Sequence, residues 1–72
     1  MESDLQLLDA VALTGDLPER GLRRGQVGTV VEVLAPGVVE VEFIDDDGRT
    51  YALLALRGHQ LMVLHYRPQQ AA

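Results

Sequence analysis

The sequence lacks cysteine, lysine and tryptophan, and its aromatic residues are one phenylalanine and two tyrosines. Without cysteine, the chain cannot form disulfide bonds, thiolate zinc sites or iron–sulfur clusters, so hydrophobic packing or oligomerisation must stabilise it. No apolar run approaches the roughly 18 residues that a membrane-spanning helix needs. The acidic start at residues 1–4 is unlike the basic start of a secretory signal. We therefore expect a cytoplasmic protein with no membrane association.

Positive charge is scarce. Six arginines stand against eleven acidic residues, and the formal net charge is −5. This balance argues against nucleic-acid binding, whose affinity comes from neutralising phosphates. The composition, 47% hydrophobic and 24% charged, lies well away from that of disordered chains. The sequence predicts a single domain over residues 1–72, with a barrel at 7–66 and a frayed tail at 67–72.

Two-residue alternation and β-branched residues dominate the chain, which predicts an all-β fold. The five expected strands cover residues 9–13, 26–34, 38–44, 50–54 and 61–65. A long first loop at 14–24 and a short helical turn within 55–60 complete the pattern. An SH3-like, partly open barrel fits this order better than the alternatives. A sandwich needs more strands, and an OB-fold needs a helix between its third and fourth strands.

Glycine, proline and aspartate mark the predicted bends. Gly28 interrupts the second strand and predicts a β-bulge or sharp bend. Pro36 and Gly37 predict a tight hairpin between the second and third strands. The Asp-Asp-Asp-Gly segment at 45–48 predicts a hairpin turn. A calcium loop is disfavoured there, because the alternating ligands and final bidentate glutamate of an EF-hand are missing.

The third strand has a clear inner and outer side. Its odd-numbered residues from 39 to 43 are apolar and are predicted to face inwards, which places Glu40 and Glu42 in solvent. Glu32 on the second strand is expected on the same outer side. The three carboxylates are interpreted either as a solvated face that opposes aggregation or as an acidic binding patch.

The strands carry more apolar residues than one small interior can hold. Val30 and Val38 share the parity of the outward glutamates, and the apolar residues after position 52 do not alternate. If exposed, this excess calls for a partner, either a second copy of the chain or another protein. The alternative is that residues 5–8 fold over one side and that the remaining apolar surface is ordinary.

Few side chains are placed to carry chemistry. His59 and His65 have no third ligand at metal spacing, and no serine or threonine lies in a nucleophile elbow. We therefore expect no metal, no cofactor and no enzymatic activity. Arg20, Arg23 and Arg24 form a local basic cluster, which either pairs with acidic residues of the same loop or anchors an acidic partner.

Two segments carry a resemblance to a known family. The D-L-P-E-x-G-L segment at 16–22 and the G-Q-V-G-T-V-V-E-V segment at 25–33 resemble small bacterial proteins grouped as a domain of unknown function, DUF4926. The resemblance extends from Leu7 to Leu64 and implies an SH3-like barrel. Its members look like stand-alone proteins that are often encoded beside another small gene. This implies an antitoxin-like or accessory role.

Two functions are predicted. The first is a non-enzymatic protein-binding module, either homo-oligomeric or bound to a cognate partner, that uses an exposed strand edge, the apolar excess and the acidic face. Its predicted contact residues are Arg20, Arg23, Arg24, Val30, Glu32, Val38, Glu40 and Glu42. The alternative follows from a similarity of the hairpin to K-O-W-type barrels of ribosomal and transcription proteins. This alternative function is nucleic-acid binding through the arginines of the first loop and Arg49.

Overall fold

A computed structural model of the chain describes residues 5–65. The strands are β1 (Ala10–Leu13), β2 (Val27–Ala35), β3 (Val38–Ile44), β4 (Thr50–Arg57) and β5 (Leu61–Val63). They form one antiparallel sheet in the order β4-β3-β2-β1-β5, and two short 3₁₀ turns, Pro18–Arg20 and Gly58–Gln60, lie between them. The predicted all-β fold is confirmed, and the unclosed sheet is consistent with a partly open barrel. Tyr66 and the predicted tail lie outside the described residues.

The fourth strand is longer than its sequence pattern predicts. It ends at Arg57, three residues beyond the predicted end at 54, because it pairs with β3 as far as the Val38–Arg57 register. The predicted helical turn is correspondingly short and begins only at Gly58. The fifth strand also ends early, at Val63.

The second strand bends so that its two parts pair with different neighbours. Its first part pairs with β1, and the pairing with β3 begins at Thr29 opposite Glu42. Gly28 lies close against residues 41–43 of β3. A Cβ atom on Gly28 would lie 2.6 Å from Cγ1 of Val41 and 2.8 Å from the backbone oxygen of Glu42. Glycine is therefore required by the close approach of two strands.

The β-bulges lie further along β2 than predicted, and they correct the assignment of Val30. The register shifts between Val30 and Glu32 and again between Val33 and Ala35, whereas Gly28 keeps regular pairing with β1. One extra residue in the ladder reverses which side chains face the interior. Val30 is consequently wholly buried opposite Val41. The outward placement of Val30 that its parity predicted is therefore wrong, and its side chain is not exposed for the partner contact that the sequence predicted.

The interior is built from apolar side chains of all five strands, and the described residues include no buried polar or charged side chain. Phe43 is the largest fully buried residue. The core comprises Val11, Leu13, Leu22, Val30, Val39, Val41, Phe43, Leu54, Leu56 and Leu61. Leu22 enters it from the first loop, which the sequence placed on the surface. The loop folds back through a backbone bridge between Leu17 and Leu22, and this bridge delivers the leucine to the core.

The two predicted hairpins are confirmed. Gly37 adopts a φ of 77° between β2 and β3, and Gly48 a φ of 82° between β3 and β4. In the second turn, Oδ1 of Asp45 accepts hydrogen bonds from the backbone N–H groups of Asp47 (2.9 Å) and Arg49 (3.0 Å). The aspartate therefore closes the turn with its side chain, as expected for this residue type.

Candidate binding surfaces

The side of the sheet that faces away from the core carries a row of carboxylates, which we call the acidic row: Glu32, Glu40 and Glu42. Glu32 lies directly opposite Glu40, and Glu42 follows two residues along β3. The three side chains therefore share one face, as the sequence predicted. The carboxylate of Glu42 accepts a hydrogen bond from the hydroxyl of Thr50. Among residues 5–65, no arginine side chain forms a hydrogen bond or an ion pair with these carboxylates.

Half-exposed apolar side chains lie on the same face of the sheet as the acidic row. Ala12 of β1 is flanked in register by Val27 of β2 and Met62 of β5, and Leu53 lies opposite Glu42. Val27, Leu53 and Met62 are 51%, 49% and 55% exposed. We call these three residues the apolar strip. The predicted excess of apolar surface therefore exists, although Val30 does not contribute to it.

The segment before β1 covers the barrel only in part. Leu5 packs against the core, whereas Leu8 is 72% exposed. Leu8 also adopts a φ of 71°, a left-handed conformation that costs energy for a residue with a side chain. Its backbone N–H donates to the oxygen of Val30 at 2.7 Å, which holds it there. The segment therefore presents an apolar side chain to solvent and leaves the apolar strip open.

One long strand edge is unpaired in the described sheet. β4 is the terminal strand on its side, so one row of its backbone groups has no strand partner. From Thr50 to Leu56 it carries neither charge nor proline, the features that normally protect an edge, and Arg57 is its first charged residue. Val38 lies opposite Arg57 at the far end and is half-buried. This edge can accept an extended segment of another chain.

A second surface lies at the end of β1, around the first loop. A cleft with a volume of ≈ 720 Å³ opens there, and we call it the arginine cleft. It is lined by Leu13, Thr14, Asp16, Arg23, Arg24, Gly25 and Met62. The structure thus brings Arg23 and Arg24 together as predicted. Arg20 instead projects from the exposed 3₁₀ turn and Arg49 from the hairpin turn after β3.

Neither histidine contributes to these surfaces. His59 lies in the 3₁₀ turn before β5, and His65 follows β5; both are exposed. Within residues 5–65, no group of three or more histidine, aspartate or glutamate side chains is placed to hold a metal ion. The same part of the chain contains no helix that is both long and apolar enough to cross a membrane.

The comparisons with known proteins define the class to which the chain belongs. The sequence profile described as Domain of unknown function (DUF4926) matches residues 7–63, which is most of the chain. The chain therefore belongs to the DUF4926 family. No curated protein and no solved structure matches it. The family membership predicted from the 16–22 and 25–33 segments is thus confirmed, while the SH3-like assignment stays a prediction.

Proposed function

We propose that this chain is a cytoplasmic, non-enzymatic protein-binding module whose outer sheet face binds a basic partner. The observation that carries the proposal is the pairing of Glu32 directly opposite Glu40. Like charges in this position oppose folding. No arginine among residues 5–65 neutralises them. A lysine or arginine of a partner would supply the missing cation.

The apolar strip supports a protein partner over a small cation. Val27, Leu53 and Met62 expose about half of each side chain on the same face as the acidic row. Burial of apolar area supplies most of the affinity of a protein interface, while charges set specificity and association rate. The partner surface that fits therefore combines apolar area with lysine or arginine.

The arrangement favours a different protein over a second copy of this chain. A two-fold dimer through the outer face would bring the same patch of both copies together. The acidic row of one copy would then approach that of the other, with no arginine in the row to compensate. A small basic protein encoded beside this chain, in an antitoxin-like or accessory pairing, avoids this repulsion. Light scattering at tens of micromolar is expected to give a monomer in the absence of the partner.

The Glu32–Glu40 pair leads to a stability prediction. Glu32→Lys is expected to raise the free energy of unfolding by about 0.5–1 kcal/mol, because a like-charge cross-strand pair becomes an opposite-charge pair. Urea denaturation measures this change. Glu19→Lys is the matched control, since Glu19 is exposed on the first 3₁₀ turn and the net charge changes equally. An equal gain in both variants would show that only net charge matters.

The binding prediction uses the same two variants. The tagged wild-type chain and Glu19→Lys are expected to capture one protein stoichiometrically from cells that naturally produce the chain. Glu32→Lys is expected to weaken binding of the purified partner at least tenfold, as measured by calorimetry. Because Glu32→Lys is expected to stabilise the fold, loss of binding cannot be assigned to unfolding.

Three results would contradict the proposal. They are the absence of any stoichiometric protein, binding that is unchanged by reversal of the acidic row, and a partner without a basic surface. Capture of nucleic acid that is lost on changing Arg23 and Arg24, but not on changing the acidic row, would instead support the nucleic-acid-binding alternative. A gel shift at about 50 mM salt tests that alternative directly, because phosphate contacts are strongest at low salt.

A further inference from the structure

We propose that the arginine cleft is a separate binding site for an oxyanion, a carboxylate or phosphate group, carried on an apolar stem. The site uses none of the residues of the acidic row and shares only Met62 with the apolar strip, so substitutions of its arginines test it separately from the protein-binding function. Two arginines, Arg23 and Arg24, line this cleft. Three features support the site: its ordered walls, its available cations and its apolar lining.

The walls of the cleft are held by backbone hydrogen bonds. The N–H of Gly25 donates to the oxygen of Leu13 at 2.8 Å, and the N–H of Leu13 donates to the oxygen of Gln26 at 3.0 Å. On the other side, the N–H of Thr14 donates to the oxygen of Gln60 at 2.9 Å. The end of β1 is therefore tied both to the first loop and to the turn before β5. A cleft with ordered walls needs little reorganisation when it binds a ligand.

The loop fixes the backbone of both arginines and leaves their cationic ends available. The N–H of Arg24 donates to Oδ1 of Asp16 at 2.8 Å, and the N–H of Arg23 donates to Oε1 of Gln26 at 2.5 Å. Neither guanidinium forms a hydrogen bond or ion pair with another group in residues 5–65. The predicted pairing of these arginines with acidic residues of the loop is not seen in this part of the chain. The planar guanidinium fork suits a carboxylate or a phosphate.

The other residues that line the cleft favour an apolar stem on the ligand. Met62, which is 55% exposed, provides the apolar wall and also belongs to the apolar strip, whereas the side chain of Leu13 is 2% exposed and packs in the core. The hydroxyl of Thr14 is already committed, since it donates to the backbone oxygen of His59 at 3.0 Å. The cleft thus offers two arginines and the apolar side chain of Met62, and one carboxylate, that of Asp16, lines it as well. An anion with an alkyl stem uses the arginines and Met62, whereas an inorganic anion uses only the arginines.

The length of the alkyl stem on the ligand is therefore the variable that tests this site. We would titrate the full chain with inorganic phosphate, butyl phosphate and hexyl phosphate, and in parallel with acetate and hexanoate, following backbone amide shifts by NMR. Affinity is expected to rise about two- to fourfold for each methylene that becomes buried. The shifts should concentrate at Thr14, Gly25 and Met62. The phosphate and carboxylate series distinguish the two possible sources of the oxyanion.

Variants separate a built site from non-specific attraction. Arg23→Gln and Arg24→Gln are each expected to weaken hexyl phosphate binding about tenfold, as expected on losing one charge-assisted contact. Arg57→Gln is the matched control, because it removes the same charge and Arg57 is not among the residues that line the cleft. Met62→Thr should flatten the dependence on chain length while leaving the binding of inorganic phosphate unchanged. Urea denaturation of each variant verifies that it is folded.

Any of the following results would overturn the proposal. Equal losses in Arg57→Gln and Arg24→Gln would show attraction by charge alone. An affinity independent of stem length, or shifts that do not saturate, would remove the apolar part of the site. Binding of a short oligonucleotide more than tenfold tighter than hexyl phosphate would assign the arginines to nucleic acid instead.

Discussion

Replacing Gly28 by alanine is expected to lower the free energy of unfolding by about 3 kcal/mol or more. The added Cβ would lie 2.6 Å from Val41 and 2.8 Å from the backbone oxygen of Glu42, and 3.1 Å from the ring of Phe43. Overpacking of a tight core usually costs about 1–3 kcal/mol, and here one of the three obstacles is backbone, which cannot move without breaking the β2–β3 ladder. A domain of this size has a total stability of roughly 4–10 kcal/mol. Urea denaturation followed by circular dichroism measures the loss.

Gly15 provides the matched control for this substitution. A Cβ atom at Gly15 would meet no atom within 4 Å, so Gly15→Ala is expected to change stability by less than about 0.5 kcal/mol. Val41→Ala should cost less in the Gly28→Ala background than in the wild type, because it removes one of the clashing atoms. Equal effects at Gly28 and Gly15, or strict additivity with Val41→Ala, would refute the close approach of β2 and β3.

Phe43→Ala is expected to destabilise the protein by about 3–5 kcal/mol, the range for removing a buried aromatic ring. Phe43 is wholly buried, and its ring lies 6.2 Å from that of Tyr51 at an interplanar angle of 45°. A decrease in Tm of roughly 15 °C or more should follow for so small a domain. Differential scanning calorimetry measures this decrease.

Leu53→Ala tests whether the sidedness of the sheet is correct. Leu53 lies on β4, opposite Glu42, on the outer face and about half exposed. Its truncation should cost about 1 kcal/mol or less, because only part of the side chain leaves an apolar environment. If Leu53→Ala destabilised the protein as much as Phe43→Ala, the inner and outer faces would be wrongly assigned.

Alternation was sufficient to predict the central strand and its faces. Glu40 and Glu42 lie outward and Phe43 inward because β3 has neighbours on both sides and no bulge between positions 38 and 43 on its pairing with β4. The Asp45 turn was equally predictable, since a carboxylate that binds nearby N–H groups and a glycine at positive φ are local features. These elements depend on residues that are close together in the sequence, so the sequence alone was enough to predict them.

Features that depend on distant residues could not be predicted in the same way. The parity of Val30 reverses because of a bulge, and nothing in V-G-T-V-V-E-V marks which residue is extra. Leu22 is buried because the first loop folds back on itself. The arginine cleft joins Thr14 and Arg24, at the two ends of the first loop, to Met62 in β5. Of these residues, only the arginines were singled out from the sequence, because of their charge. Nothing in the sequence indicated a cavity.

The hydrogen bond between the side chains of Gln26 and Tyr51 shows how strongly the sheet curls. Nε2 of Gln26 donates to the Tyr51 hydroxyl at 3.1 Å. The first residue immediately precedes β2 and the second lies in β4, with β3 between these strands. A segment that paired with the free edge of β4 would lie beside Leu53, whereas Val27 and Met62 lie on β2 and β5.

The strand order also implies that some parts of the molecule form before others during folding. β2, β3 and β4 are consecutive and joined by short turns, so the acidic row is assembled from neighbouring segments. The pairing of β1 with β5 joins Val11 to Val63 and must close almost the whole chain, which is the slower step. The arginine cleft exists only once that pairing has formed. We therefore expect amide hydrogens around Leu13 to exchange before those of the central hairpin, and an anion bound in the cleft to stabilise the pairing of β1 with β5.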